Sequence, residues 1–153
     1  IKSIKVGSII TICNKNYKAI AMSHYVTESN PTDIYVKVFL ENHFALVMSP
    51  TDDFMYFGKD VGELPYDFPT PDTIEHDGFR YKKIDEDYQI VNDLVFGFPL
   101  NTEGEVKFID YECEEDDRKL ISVGLIVRNS KRADIVAKTL ELKDIELSKD
   151  EEG

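Results

Sequence analysis

The stretch Glu105–Val127 reads Glu-Val-Lys-Phe-Ile-Asp-Tyr-Glu-Cys, then Glu-Glu-Asp-Asp-Arg-Lys, then Leu-Ile-Ser-Val-Gly-Leu-Ile-Val. Two apolar runs rich in β-branched and aromatic residues flank a short charged break, which predicts a β-hairpin. Alternation divides the first strand between two faces, with Val106, Phe108 and Asp110 on one and Lys107, Ile109 and Tyr111 on the other. Because both faces carry apolar side chains, we expect this hairpin inside a sheet rather than at its edge.

The same alternation recurs along the chain. Ile34–Glu41 predicts a strand, and the break Asn42-His43 leads to its hairpin partner at Phe44–Met48. Further short strands are predicted at Val6–Ile12, Tyr17–Thr27, Phe54–Phe57, Thr73–Glu75, Phe79–Ile84, Tyr88–Val91 and Leu94–Phe98. The fold class is therefore all-β and antiparallel, with little or no helix, arranged as two related hairpin-rich units packed into a sandwich or a partly open barrel.

The domain prediction is a single compact domain over residues 1–153 with an internal duplication. Ile10-x6-Tyr17-Lys18-x-Ile20 recurs as Ile74-x6-Tyr81-Lys82-x-Ile84, and Val36-Lys37-x-Phe39 is echoed by Val106-Lys107-Phe108-Ile109. The two β-units would span residues 4–61 and 73–147, and each is too small to be stable without the other. Residues 62–72 would connect them, because three prolines in that segment exclude both helix and ladder strand.

The C-terminal part of the chain is ambiguous between two structures. Residues 133–147 fit either an amphipathic helix or a strand, and their Thr and Val content favours a strand plus a turn. Residues 148–153 form a charged tail that is expected to fray.

Charge is the most distinctive feature of the composition. The chain has 18 basic and 30 acidic residues, a net charge of −12, within 42% hydrophobic and 31% charged residues. Such a surface repels phosphate backbones, so direct nucleic-acid binding is not expected, whereas a basic protein partner would be attracted. No apolar run approaches the length of a membrane span. We expect a cytoplasmic protein, and its oligomeric state is left open.

Motifs that would carry chemistry do not occur in the sequence. No nucleophile elbow, phosphate-binding glycine loop or zinc-ligand spacing is present, so no catalytic residue, no cofactor and no metal ligand is assigned. The acidic cluster Asp110, Glu112 and Glu114–Asp117 could attract Ca²⁺ or Mg²⁺, but it lacks the glycine and the distal glutamate of a calcium loop, and its loop Glu114–Asp117 is expected to lie in water. Cys13 and Cys113 are expected to be free thiols, although a disulfide between them is not excluded.

A set of short motifs resembles a family of small, acidic, β-rich bacterial domains of unknown function. The matching segments are Gly7–Ile12, Tyr17–Ile20, Asp77–Tyr81, Ile109–Glu112, Leu120–Val123 and Leu140–Leu147. The chain departs from that pattern in having no tryptophan near the first hairpin, and in Gly124, where an acidic residue is expected. The family carries no established activity, so the resemblance implies a fold and hardly any mechanism.

Three functions follow as hypotheses. The favoured one is a non-catalytic interaction module that docks a basic partner through an acidic, aromatic surface. The residues assigned to that surface are Tyr66, Phe68, Glu114, Glu115, Asp116 and Asp117. The second is an acidic inhibitor or nucleic-acid mimic of the immunity-like or anti-restriction type, with carboxylates in rows. The third is an enzyme with a dispersed carboxylate site, which requires a cleft in which two carboxylates of perturbed pKa converge.

Overall fold

The computed structural model describes residues 5, 7–27, 30–49, 54–96, 105–127 and 130–147. Within these residues the chain forms twelve strands, and they are β1 (Ile9–Ile12), β2 (Lys15–Thr27), β3 (Asn30–Leu40), β4 (Phe44–Ser49), β5 (Phe54–Gly62), β6 (Thr73–His76), β7 (Phe79–Phe96), β8 (Glu105–Cys113), β9 (Lys119–Ile126), β10 (Lys131–Arg132), β11 (Asp134–Thr139) and β12 (Ile145–Leu147). Two 3₁₀ turns, Glu41–His43 and Leu142–Asp144, are the helical elements of this part of the chain. Neither these nor any other described segment is a helix with the length and apolarity that a membrane crossing requires.

All the strands belong to one antiparallel sheet, which confirms the all-β prediction. Its order is β12-β1-β2-β3-β4-β5-β11-β9-β8-β7-β6, with β10 paired to β9 beside this path. The sheet ends in β12 and β6 and is not closed into a barrel. An additional ladder joins β2 to the second half of β7, so the sheet curls back on itself. The expected pair of β-units is therefore joined edge to edge within one sheet.

The hairpin that was predicted to lie inside the sheet does so. β8 pairs with β7 on one side and with β9 on the other. Its alternation gives it two buried faces: Ile109 and Tyr111 pack in a hydrophobic cluster, whereas Phe108 and Asp110 line a cavity on the opposite face. The connection between β8 and β9 is exposed at Glu114, Glu115 and Asp117, as expected of an acidic loop.

Two hydrophobic clusters occupy the two halves of the sheet. The first cluster contains Ile10, Ile12, Ala19, Met22, Val36, Val38, Leu40, Leu46, Met48, Met55 and Phe57. The second cluster contains Leu64, Ile74, Tyr81, Ile109, Tyr111, Cys113, Ile121 and Val123. Each receives side chains from the segment that follows the last long strand of the other half: Leu140 and Ile145 pack on the first cluster, and Tyr66 and Phe68 pack on the second. A smaller third cluster lies where β5 meets β11.

The first hairpin of each half has the same register. Ile10 stands opposite Tyr17, and Ile74 stands opposite Tyr81, so 74 corresponds to 10 and 81 to 17 with a shift of 64. The next ladder of each half also has its irregularity at the same place, between Ala19 and Ala21 and between residues 83 and 85. The strand order of one half mirrors that of the other. The duplication stays a prediction, and these registers support it.

The two hairpin turns also correspond, since each contains two successive residues with positive φ. The values are 49° and 70° at Cys13 and Asn14, and 51° and 82° at Asp77 and Gly78. Two-residue hairpin turns of this kind need a left-handed backbone at both central residues, because only then does the turn match the twist of the strands. Asp77-Gly78 satisfies this requirement with favoured residues, and Cys13-Asn14 satisfies it less favourably.

The second repeated motif, Val36–Phe39 and its echo Val106–Ile109, was aligned one residue away from the alignment that the strand registers give. Phe39 stands opposite Ala21, and Asp110 stands opposite Asp85, which corresponds to Ala21. Phe39 therefore corresponds to Asp110, and Lys37, two residues earlier, corresponds to Phe108 rather than to Lys107. The sequence match of Lys37 with Lys107 was wrong by one position, and a slip of one residue moves a side chain to the other face of a sheet.

Three further expectations need correction or completion. The separate strands predicted between Phe79 and Phe98 are one continuous strand over Phe79–Phe96, because β8 pairs along its first half and β2 along its second. The segment at 129–132, for which no strand was predicted, contains β10. Residues 133–147 contain strands and a turn, which agrees with the favoured alternative. The tail at 148–153 lies outside the described residues.

A buried ion pair fastens the connector to the second half. The Asp134 carboxylate has no solvent exposure and receives two guanidinium hydrogen bonds from Arg132, of 2.6 and 3.1 Å. It also accepts from the backbone amides of Leu64 at 2.9 Å and Gly124 at 3.2 Å. Arg132 Nη1 donates to the backbone oxygen of Tyr66 at 2.9 Å. The hydrogen bond to Asp134 and its charge raise the pKa of Arg132.

Replacing Arg132 by Met should destabilise the fold by about 3–5 kcal/mol, because it leaves the Asp134 carboxylate buried without a counterion. Lys83→Met is the matched control, since Lys83 forms its ion pairs with Asp72 and Glu86 in solvent and its loss should change stability little. Denaturant unfolding measures both variants. Equal stability of the two would contradict the role assigned to the buried pair.

Candidate functional site

The connector aromatics assigned to a partner surface are mainly structural. Tyr66 and Phe68 are half-buried and pack on the second cluster, so the exposure expected of them was wrong. The Tyr66 hydroxyl donates to the backbone oxygen of Glu75 at 3.1 Å and accepts from its amide at 3.0 Å. These two bonds satisfy the outward backbone groups of the edge strand β6. The Arg132 guanidinium lies 6.0 Å from the Phe68 ring centroid.

The acidic residues of the predicted surface do lie at one place, the turn between β8 and β9. Glu114, Glu115 and Asp117 are exposed, and Asp116 is half-buried and accepts a hydrogen bond from the Arg118 amide at 3.0 Å. Burial raises the pKa of the nearby Tyr81, and the charges of Cys113, Asp77, Asp116 and Glu115 raise it further. We call Asp77 and Glu114–Asp117 together the acidic end.

A more concentrated set of polar groups lines a cavity of about 90 Å³ on the opposite face of the sheet from the two clusters. Strands of both halves contribute to it, and we call it the first cavity. Its polar or ionisable residues are Tyr25, Tyr35, Lys37, Tyr56, Asp110 and Ser122. Phe54, which is 37% exposed, and Phe108 add apolar rings to the wall. The space corresponds to about six water-sized spheres, enough for a group of a few heavy atoms.

Asp110 is the carboxylate of this cavity. It extends from β8, and the hydroxyl of Ser122, directly opposite on β9, donates to it at 2.7 Å. Burial raises the pKa of Asp110 to about 7, against the effect of that hydrogen bond, and the charge of Asp85 adds to the increase. Within the described residues, no Lys, Arg or His forms an ion pair with Asp110.

Phenol groups from the first half face Asp110. Burial raises the pKa of Tyr56 strongly, and the charge of Asp110 raises it further, whereas a hydrogen bond with Ser122 lowers it. Tyr35 and Tyr25 lie close enough to contribute smaller increases to the same pKa. Tyr56 therefore stays protonated and can donate a hydrogen bond to a group in the cavity.

Lys37 lies where the first cavity meets a second one. The second cavity has a volume of about 290 Å³, is walled mainly by apolar side chains, and also contains Lys37 and Asp60. The Lys37 ammonium lies 4.7 Å from the centroid of the Phe39 ring. Burial lowers the pKa of Lys37, against the attraction of Asp60. Asn42 and His43, with φ of 62° and 68°, form the turn at the edge of this second cavity.

The arrangement can bind and orient a small polar molecule. It offers one carboxylate, one ammonium, several hydroxyls and a wall of aromatic rings, which is the composition of a ligand pocket with few convergent polar groups. In the part of the chain that the structure describes, no group of three or more His, Cys, Asp or Glu side chains is placed to hold a metal ion. Cys13 and Cys113 are both free; the first is exposed and the second is buried.

Sequence reasoning missed Lys37 and Tyr56 as site residues and placed Asp110 on the correct face without assigning it a role. The sequence does contain a signal for two of these residues, which is a charged residue on a strand face that otherwise carries aromatic rings. Lys37 lies between Tyr35 and Phe39 on one such face, and Asp110 follows Phe108 on another. An ionisable residue on a face that is otherwise aromatic must be buried among rings if that face is covered.

Comparisons of this chain with protein-family models, with curated proteins and with solved structures find no match. The resemblance to a family of acidic bacterial domains therefore stays a prediction. Any function proposed for the chain has to be argued from the geometry and chemistry of its own residues.

The variant Asp110→Asn should be more stable than the wild type at pH 8 and equally stable near pH 4. The pKa of Asp110 is raised by folding to about 7, so the folded state binds the proton more tightly than the unfolded state does. The stability that the protonated Asp110 side chain contributes is fully present below pH 4 and is lost as the pH rises to about 7. Denaturant unfolding of both proteins from pH 4 to 8 measures the difference, and a constant difference would contradict the burial of Asp110.

Proposed function

We propose that this protein is a non-catalytic binding module whose first cavity takes the amino group of a small organic ligand. The observation that carries the proposal is a half-buried carboxylate, Asp110, that lines an aromatic cavity and has no cationic partner among the described residues. A ligand ammonium would supply the missing charge.

Two physical effects favour a cationic group in this position. A carboxylate removed from water without a counterion raises the free energy of the folded state, and an ammonium that forms a hydrogen bond with it reverses much of that cost. Aromatic faces attract cations, and five rings, those of Tyr25, Tyr35, Phe54, Tyr56 and Phe108, line the same cavity. The net charge of −12 increases the local concentration of cations around the protein as a whole.

An enzyme is a weaker proposal for the same cavity. A carboxylate mechanism needs two such groups close together, one to act as acid and one as base or nucleophile. Among the described residues that line the first cavity, Asp110 is the one carboxylate. The Ser122 hydroxyl donates a hydrogen bond to Asp110, but the described lining contains no histidine, and no described hydrogen bond joins its one amine, Lys37, to Ser122.

Titration with n-propylamine at pH 8, followed by calorimetry, tests the proposal. We expect a dissociation constant of about 0.1–1 mM, since a ligand of few heavy atoms has a limited affinity even in a good site. Asp110→Asn should weaken binding about tenfold or more, because it removes a charge-assisted hydrogen bond. Asp117→Asn is the matched control, since Asp117 is exposed and lies outside the cavity lining. Equal binding by wild type and Asp110→Asn would refute the proposal.

Docking of a basic protein partner on the acidic end is a second candidate function. It is supported by the exposure of Glu114, Glu115 and Asp117 and by the position of Asp77 close to Tyr81, which brings the acids of two turns together. The test is retention on immobilised poly-lysine at low salt. The triple variant Glu114→Gln/Glu115→Gln/Asp117→Asn should lose more retention than a control triple variant with the same change in net charge, Asp85→Asn/Asp87→Asn/Glu105→Gln. Equal losses would show that net charge alone causes the retention.

A further inference from the structure

A second charged group lines the first cavity at a distance from Asp110. Lys37 belongs to the lining of the cavity, yet the described residues contain no ion pair between Lys37 and Asp110. The charges that act on the two groups are different: Asp85 acts on Asp110, and Asp60 acts on Lys37. The cavity therefore holds an anionic and a cationic group that do not neutralise each other.

Lys37 has a polar neighbour that is also unsatisfied. Ser23 stands opposite Lys37 in the ladder between β2 and β3, and alternation places it on the same face as Tyr25. Its side chain has no solvent exposure, and its hydroxyl has no hydrogen-bond partner among the described residues. Ser23 is in neither cavity lining, so on this side of the first cavity Lys37 is the group that a ligand can contact.

The positions of Lys37, Ser23 and Asp110 are set by rigid strands rather than by loops. All three lie within long strands of the sheet, and each strand pairs with a neighbour on both sides. Their separation is therefore a fixed length, and a ligand of matching length would be preferred to shorter and longer ones.

We infer that the ligand of the first cavity is an amino carboxylate, whose carboxylate is received by Lys37 while its amino group is received by Asp110. This inference rests on the proposed function, because it adds an anionic end to a ligand that is already taken to bear an amine. A ligand with both charges would neutralise the two groups at once. An amine alone or a carboxylate alone would leave one of them uncompensated.

Calorimetric titration with glycine, 3-aminopropanoate, 4-aminobutanoate, 5-aminopentanoate and 6-aminohexanoate tests this directly. Each amino carboxylate is compared with the n-alkylamine and the alkanoate that have the same number of carbon atoms. We expect one length to bind at least tenfold more tightly than its amine, with weaker binding by shorter and longer members. If amines bind as tightly as amino carboxylates at every length, the inference fails and the proposed function stands. If no amine and no amino carboxylate binds, both fail.

Variants of the carboxylate-binding side identify the residues. Lys37→Met should abolish the advantage of the amino carboxylate over the amine. Lys59→Met is the matched control, because Lys59 is exposed on β5 and belongs to neither cavity lining. Thermal melting of each variant verifies that it is folded. A folded Lys37→Met that keeps the advantage would overturn the inference.

Discussion

The fully buried carboxylate of Asp134 is the constraint on which the second half of the structure depends. A charge at zero exposure is tolerated only when every lone pair has a donor, and Asp134 obtains its donors from three separate segments. The connector supplies the amide of Leu64, β9 supplies that of Gly124, and Arg132 supplies its guanidinium. Because the connector is held in this way, Tyr66 and Phe68 can cover the second cluster. An irregular segment rich in proline becomes part of the core through one acidic side chain.

The two halves of the sheet resemble each other in backbone and differ in the charges they present to the first cavity. Lys37 occupies the place that corresponds to Phe108, and Asp110 occupies the place that corresponds to Phe39. Each charged residue thus has a phenylalanine as its counterpart in the other half. If the halves arose by duplication, a symmetric apolar interior would have become a site with a cationic side and an anionic side through changes at two corresponding pairs of positions.

Much of the fold followed from local pattern. The hairpins, the central position of β8 and the non-strand connector were all predicted, because alternation, turn residues and proline act over a few residues. The predicted breaks within β7 were wrong for a different reason. Polar residues between Ile84 and Leu94 weaken the local signal, but β8 and then β2 supply backbone partners along the whole strand. Of the residues assigned to a partner surface, the acids lie at one turn, whereas Tyr66 and Phe68 are half-buried on the second cluster, which nothing near them in sequence indicates. The use of that surface by a partner stays a prediction.

By itself the sequence determined that this chain is an antiparallel β-protein, that its strands bury both faces, and that its exterior is acidic, because these properties depend on the period and the composition of short segments. Only the tertiary structure decided which ionisable residues meet. Lys37, Tyr56, Asp110 and Ser122 are separated by up to 85 positions in the chain and share one cavity because the sheet curls round when β2 pairs with β7. Register also belongs to the tertiary structure, since a shift of one residue between strands would have turned Lys37 and Asp110 away from the cavity and into the hydrophobic clusters.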